Sequence, residues 1–231
     1  MGWLVYFLVR HQDVISRLRE EVMAAFPEPG SEGISFTQLH QLKYMHNIIS
    51  ETIRIVGIIP MNERAAVRDT TLPRGGGPDG QSPVFVPKGQ QILIPTYSMQ
   101  HSEDLWGADH DEFKPERWKG RQHGWDFIPF GSGIRQCLGR EYYPRPYNRM
   151  LIWWPEQFAR TEAMYVLVRL LQEFDTIENM ESADTPMKFR HTIENRSGTG
   201  VQVRLHSAKS EIQAIDDYAC VLDVERSEAV S

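Results

Sequence analysis

The chain opens on an apolar run, Trp3-Leu4-Val5-Tyr6-Phe7-Leu8-Val9, that stops at Arg10-His11. A helix that is apolar all round belongs in a core, so the run reads as the end of a buried helix. A chain that starts inside such a helix is expected to have lost what precedes it. Val14, Leu18 and Val22 recur every four residues and predict an amphipathic helix over 13–25, with Asp13 as N-cap and Pro27, Pro29, Gly30 and Gly33 ending it. A second helix is predicted over 43–56, with Met45, Ile48, Ile49, Thr52, Ile53 and Val56 on one face and Gly57 and Pro60 closing it. From 64 to 100 the pattern shortens to strands. Val84-Phe85-Val86 precedes a Pro87-Lys88-Gly89 turn and then Gln91-Ile92-Leu93-Ile94, while the glycine-rich stretch 74–83 reads as an exposed loop. Residues 101–130 carry no period, and a long irregular stretch in a compact domain is functional or wrapped around something. A helix is predicted over 156–174 on the stripe Leu167, Leu170, Leu171 and Phe174. Two late strands, 188–194 and 200–205, flank Asn195-Arg196-Ser197-Gly198, a hairpin-like turn, and a polar tail runs over 207–231. The fold class is mainly α with small β-sheets.

A length of 231 residues suits one ordinary domain or part of a larger one. With 41% hydrophobic and 24% charged residues the chain is not of disordered type, and a net charge of −6 argues against non-specific nucleic-acid binding. Two cysteines, Cys137 and Cys220, exclude a disulfide framework and favour a reducing compartment. The first apolar run is too short to cross a bilayer, which needs about 20 residues, so no membrane anchor is read in this chain. The eight histidines lack His-Glu-x-x-His spacing, which argues against a zinc site. His101, His110 and His123 read as surface residues, and Cys220 as a tail thiol without a role.

The sharpest signal is Phe130-Gly131-Ser132-Gly133-Ile134-Arg135-Gln136-Cys137-Leu138-Gly139, which fits F-x-x-G-x-R-x-C-x-G in full. A chance match at one position is on the order of 10⁻⁷. A thiolate bound to haem iron donates electron density that favours O–O cleavage. Gly131, Gly133 and Gly139 let backbone come close to the sulfur, and their N–H groups can donate to it. Arg135 is a fixed cation suited to a haem propionate, and Phe130 can pack on the porphyrin or shield the sulfur. Upstream, Glu51-Thr52-Ile53-Arg54 sets a carboxylate and a guanidinium on one helix face, and Phe113-Lys114-Pro115-Glu116-Arg117-Trp118 follows about 60 residues later.

In order and spacing these three elements resemble the C-terminal, haem-proximal half of the cytochrome P450 family. The resemblance implies a partial cytochrome P450 fold over residues 1–206, with Cys137 as axial ligand to the iron of haem. It implies that Glu51, Arg54 and Arg117 form a buried structural triad that locks the segment before the cysteine loop, and that Arg64 reaches a haem propionate. The implied activity is insertion of one oxygen atom from O2 into a lipophilic substrate. Electrons would come from an NADPH-dependent flavin reductase docking on the face of Cys137. The text at 66–73, 86–89 and 104–107 is similar to fungal microsomal alkane and fatty-acid hydroxylases, and full-length relatives of that kind are anchored in the endoplasmic reticulum.

Two departures qualify the expectation. The family's oxygen-handling acid–alcohol pair lies upstream of the matching text, so no catalytic residue is expected in this chain. The stretch 141–155 interrupts the helix that should follow Cys137, with Pro144, Pro146 and Pro155 inside it. Removing it joins Arg140 to Glu156-Gln157-Phe158-Ala159 and restores the family's text, so it reads as an insertion or an unspliced intron, with a real surface loop as the rival. Two alternatives to monooxygenation stay open: a peroxide-driven haem-thiolate oxygenase or isomerase, and a truncated, non-catalytic product that at most binds haem.

Overall fold

The structure is a computed structural model and describes residues 1–28, 33–121, 124–137, 157–182, 185–207 and 218–221. Helix α1 (Gly2–Arg10) buries Leu4 through Val9 without a break, as the unbroken apolar run requires. Helix α2 (Gln12–Ala25) follows after a kink at His11 and buries Val14, Ile15, Leu18 and Val22. Asp13 is not its N-cap: the helix starts one residue earlier, with His11 in that place and no side-chain cap. α1 leads almost directly into α2, which leaves Asp13 inside the first turn, where a negative charge still favours the helix dipole.

After the short helix α3 (Phe36–Leu39) comes α4 (Lys43–Val56), whose residues 48–56 are all buried. Its first turn has no cap of its own. The half-buried Glu21 of α2 takes that role, accepting from the Tyr44 amide at 2.8 Å and the Met45 amide at 2.9 Å. A carboxylate from a neighbouring helix thus satisfies two of the four free N–H groups that every helix start leaves.

The first four strands form two antiparallel pairs. β1 (Asn62–Ala65) pairs antiparallel with β4 (Gln91–Ile94), and β2 (Thr70–Gly76) with β3 (Ser82–Val86). The Pro87–Gly89 turn does not fold β4 onto β3, because hydrogen bonds from Gly89 N to Ala66 O and from Ala66 N to Gln90 O carry it to β1. Much of the glycine-rich stretch 74–83 is therefore hairpin rather than loop. Gly76 is needed there: a Cβ at this position would sit 2.8 Å from Pro83 O across the ladder.

The segment 101–130 holds two short elements its lack of period concealed, α6 (Glu103–Trp106) and a 3₁₀ turn over Pro115–Trp118, while α5 (Thr96–Gln100) precedes it. Helix α7 (Gln157–Glu173) buries Met164, Leu167, Val168 and Leu171. It ends before Phe174, which starts β5 (Phe174–Asn179). Arg19 of α2 donates to the carbonyls of Leu171 and Phe174, both at 2.7 Å. β6 (Phe189–His191) pairs with β7 (Asn195–Ser197), so Asn195 begins a strand and the turn is 192–194. β8 (Gln202–Ser207) joins β5 and β9 (Tyr218–Val221) in a three-stranded sheet, so the polar tail supplies a strand and Cys220 lies within it, opposite Val203. The architecture is mainly α with small antiparallel sheets, and α4 lies at its centre against α1, α2, α5 and the 3₁₀ turn at Pro115–Trp118. The stretch 141–155 lies outside the described residues.

Candidate functional site

Glu51 projects from the buried length of α4 and is fully enclosed. Arg54, one turn on, meets it with Nε at 2.9 Å and Nη2 at 2.9 Å, a two-pronged contact. The remaining N–H groups of Arg54 go to main-chain carbonyls: Nη1 to Gln100 at 2.7 Å and His110 at 2.6 Å, and Nη2 to Glu112 at 3.2 Å. All five donors of this guanidinium are used. Glu51 accepts three more, from Arg117 Nε at 3.2 Å, Lys114 N at 3.0 Å and Trp118 Nε1 at 2.9 Å. The structure thus brings Glu51, Arg54 and Arg117 together.

Asp109 and Trp118 complete the cluster and were not singled out by sequence. Asp109 Oδ1 takes Arg117 Nη1 at 2.8 Å and its Oδ2 takes Lys114 Nζ at 2.7 Å. Charge therefore closes at two carboxylates for two guanidiniums, with Lys114 at the rim. The available signal for Trp118 was its indole N–H, which needs an acceptor once buried; for Asp109 there was none, since it sits in a segment without period. Hydrogen bonds from Lys114 and then Arg117 hold the Asp109 carboxyl well below the usual carboxylate range. Burial alone would lower the Arg117 pKa, but the Asp109 hydrogen bond and the Glu51 charge leave it raised.

A depressed carboxyl pKa stabilises the fold at every pH above the unfolded value of about 3.9, and that contribution is lost as pH falls through the folded value. Asp109→Asn is expected to be less stable than the parent at about pH 7, with a deficit that starts to shrink as pH drops below about 4 and disappears only below the folded value. Thermal midpoints of the two chains across that range check it; a constant gap would mean that the Asp109 charge contributes nothing.

From this cluster an aromatic path runs toward the cysteine loop. Trp106 and Trp118 lie 5.5 Å apart between ring centres, and Trp118 and Phe127 4.6 Å apart. Arg121 stacks over Trp106 at 4.1 Å and pairs with Asp126. Three residues past Phe127, Phe130 packs half-buried against the core. The loop then turns on Gly131 (φ 72°) and Gly133 (φ 73°), left-handed values that glycine adopts freely. It closes with a hydrogen bond from Cys137 N to Phe130 O at 2.8 Å. The Cys137 side chain is exposed and its thiol is free. Beside it Ile134 is fully exposed, and Arg135 is exposed with no hydrogen bond or ion pair among the described residues. Gly139 lies outside the described residues.

Arg64 lies on β1, half-buried, and among the described residues its side chain donates only to the adjoining Glu63 carbonyl, at 2.7 Å. A free, exposed thiol beside an open apolar side chain and the Arg135 guanidinium, which has no acidic partner among the described residues, fits an amphiphile with a soft-ligand metal, a flat apolar body and anionic arms. Haem is such a group. Two histidines differ from the surface reading. His101 and His110 are half-buried, and His101 stacks on Tyr97 with ring centres 4.1 Å apart, where burial lowers its pKa. His123 lies outside the described residues.

Comparison with known proteins agrees with this chemistry. Residues 1–144 match the family model described as Cytochrome P450. The chain is 43% identical over 186 residues to cytochrome P450 monooxygenase alt2 of Alternaria solani, covering 78% of this chain and 32% of that one. It is 40% identical over 212 residues to cytochrome P450 52E2 of Candida apicola, covering 88% of this chain and 38% of that one. It is 43% identical over 208 residues to cytochrome P450 monooxygenase himC of Aspergillus japonicus, covering 90% and 34%. The chain spans about a third of the length of these curated relatives. With the family model matched over more than half its residues, and with the cysteine loop inside that match, the chain belongs to the cytochrome P450 family.

Proposed function

We propose that this chain is the haem-proximal part of a haem-thiolate monooxygenase that inserts one oxygen atom from O2 into a lipophilic substrate, an alkane or fatty acid. The observation that carries the reading is Cys137, a free, exposed thiol at the end of a complete F-x-x-G-x-R-x-C-x-G loop in a chain of this family. Members of the family carry a haem iron, and haem held by a thiolate supplies the O–O-cleaving chemistry when bound. This chain's residues hold and orient it. Cys137 offers the axial sulfur. Arg135 and Arg64 offer cations to the two propionates. Gly131, Gly133 and Gly139 let the loop backbone approach the sulfur, and Phe130 is proposed to pack on the porphyrin or shield the sulfur once haem is bound. Glu51, Arg54 and Arg117 act structurally, by fixing the segment that leads into the loop.

The reaction consumes O2, two electrons and two protons and yields the hydroxylated substrate and water. An NADPH-dependent flavin reductase is the proposed electron donor, docking on the face of Cys137. The alkane or fatty-acid class rests on the text at 66–73, 86–89 and 104–107. Association with the endoplasmic reticulum membrane is proposed for the longer form; no helix among the described residues is long and apolar enough to cross a membrane. Residues 1–206 are proposed as the family unit, with 141–155 inserted within it and 207–231 following as a tail. The family match ends at residue 144, inside that insertion.

The test is a hemin titration of the full chain, followed by reduction under carbon monoxide. The parent chain and Cys220→Ser are expected to give the red-shifted spectrum of thiolate-ligated iron, and Cys137→Ser to lose it. A Cys137→Ser spectrum like the parent's would overturn the reading.

A further inference from the structure

Between α4 and β1 the chain forms no regular element, yet its carbonyls are not left to solvent. Asn195 Nδ2 donates to Val56 O at 3.0 Å and to Gly57 O at 3.0 Å. Asn195 N donates to Ile58 O at 2.8 Å. Thr96 Oγ1 donates to Ile59 O, and Tyr97 N to Pro60 O at 3.0 Å. Consecutive carbonyls from 56 to 60 are each held by a donor from another part of the chain, three of them by one residue. Irregular backbone this fully paired is a fixed strap, because releasing any one acceptor in a buried setting costs free energy.

Asn195 is itself pinned. Its side chain is buried. Two carbonyls require the amide nitrogen on their side, so Oδ1 faces His191 Nδ1 at 2.8 Å and accepts its hydrogen. The Asn195 carbonyl accepts from Trp3 Nε1 of α1 at 3.0 Å. On the strap, Gly57 sits at φ 51°, and a Cβ there would lie 2.8 Å from the Tyr97 ring. The strap enters β1 within two residues, and β1 carries Arg64. Among the described residues β1 has only β4 as strand partner, and a two-stranded ribbon is marginal by itself. The direction in which β1 leaves the core is therefore set at its entry.

We propose that Asn195 is a positioning residue for haem binding: by holding the carbonyls of residues 56–58 it fixes where β1 presents Arg64 to a propionate. This rests on the haem reading above. It assigns the β6–β7 hairpin a role in cofactor retention, exercised through a different strand.

A double-mutant cycle on the full chain tests it, with hemin affinity read from its absorption band and the thermal midpoint of the hemin-free protein read in parallel. Arg64→Ala and Asn195→Ala are each expected to raise the hemin Kd about tenfold. The double variant is expected to stay near the same tenfold rather than reach about a hundredfold, since residues acting through one group are not additive. Asn195→Ser serves if Asn195→Ala does not fold. Additive effects, an unchanged Kd for Arg64→Ala, or an Asn195 variant that lowers the thermal midpoint without changing the hemin Kd would overturn the proposal alone. A Cys137→Ser chain that binds hemin with parental affinity and spectrum would overturn the haem reading and this proposal with it.

Discussion

Glu51→Ala is expected to drive most of the chain into the insoluble fraction and to leave any soluble remainder without haem. The substitution removes the acceptor of five hydrogen bonds, from Arg54 Nε and Nη2, Arg117 Nε, Trp118 Nε1 and Lys114 N. Arg54 is fully buried and Arg117 nearly so, so two guanidiniums lose a counter-charge where water cannot replace it. Breaking one partner of such a cluster costs about 3–5 kcal/mol, against a total stability of about 5–15 kcal/mol for a domain. Loss of the Trp118 contact also loosens the aromatic path to Phe127 and the start of the cysteine loop, which is why haem retention should fall with the fold. Soluble yield and hemin content against the parent measure this. A soluble, hemin-loaded Glu51→Ala chain with the parental thermal midpoint would sink the structural role of the cluster.

Arg54→Lys keeps the charge and is still expected to cost at least about 3 kcal/mol. Lysine has three donors on a tetrahedral head. It can meet Glu51 only as a point charge, and it cannot also serve the carbonyls of Gln100, His110 and Glu112 that Arg54 holds. Each buried carbonyl left without a donor costs about 1–3 kcal/mol. For a chain of this size that corresponds to a fall in thermal midpoint of roughly 6–12 °C. Arg17→Lys is the comparison: Arg17 pairs with Glu116 with both side chains about half exposed, and exposed pairs are worth about 0–1 kcal/mol. Equal midpoints for Arg54→Lys and the parent would show that charge alone, not the forked geometry, holds the site.

The cysteine loop was legible because its chemistry is written at fixed spacing over ten residues, and the loop folds on two glycines at positive φ. The α4 helix was legible from its period, and its burial made the Glu51–Arg54 contact more than a surface pair. Asp109 and Trp118 escaped because they come from a segment whose shape is set by what it wraps, not by its own pattern. Strand pairing escaped for a related reason. Partner choice between β1 and β4 is decided by contacts about 30 residues apart, and no local pattern distinguishes that from a β3–β4 hairpin. Asn195 was read as part of a turn because asparagine favours turns. Its side chain had partners 138 and 139 residues away, and those override the local preference.

The Glu51 cluster also constrains the order of events during synthesis. Its partner amide at Lys114 lies 63 residues downstream and its Trp118 partner 67 residues downstream. At about 5–20 residues per second, α4 is complete for roughly 3–13 seconds before those donors exist. Throughout that interval Glu51 has only Arg54 of its own helix as a charged partner from the final cluster, so the pair is able to stay hydrated and to keep that face of α4 from burying itself prematurely. The β1–β4 and β2–β3 pairs over 62–94 are made in the same interval, so they can form before the helix is sealed. A carboxylate that ends fully enclosed would thus serve first as a brake on collapse.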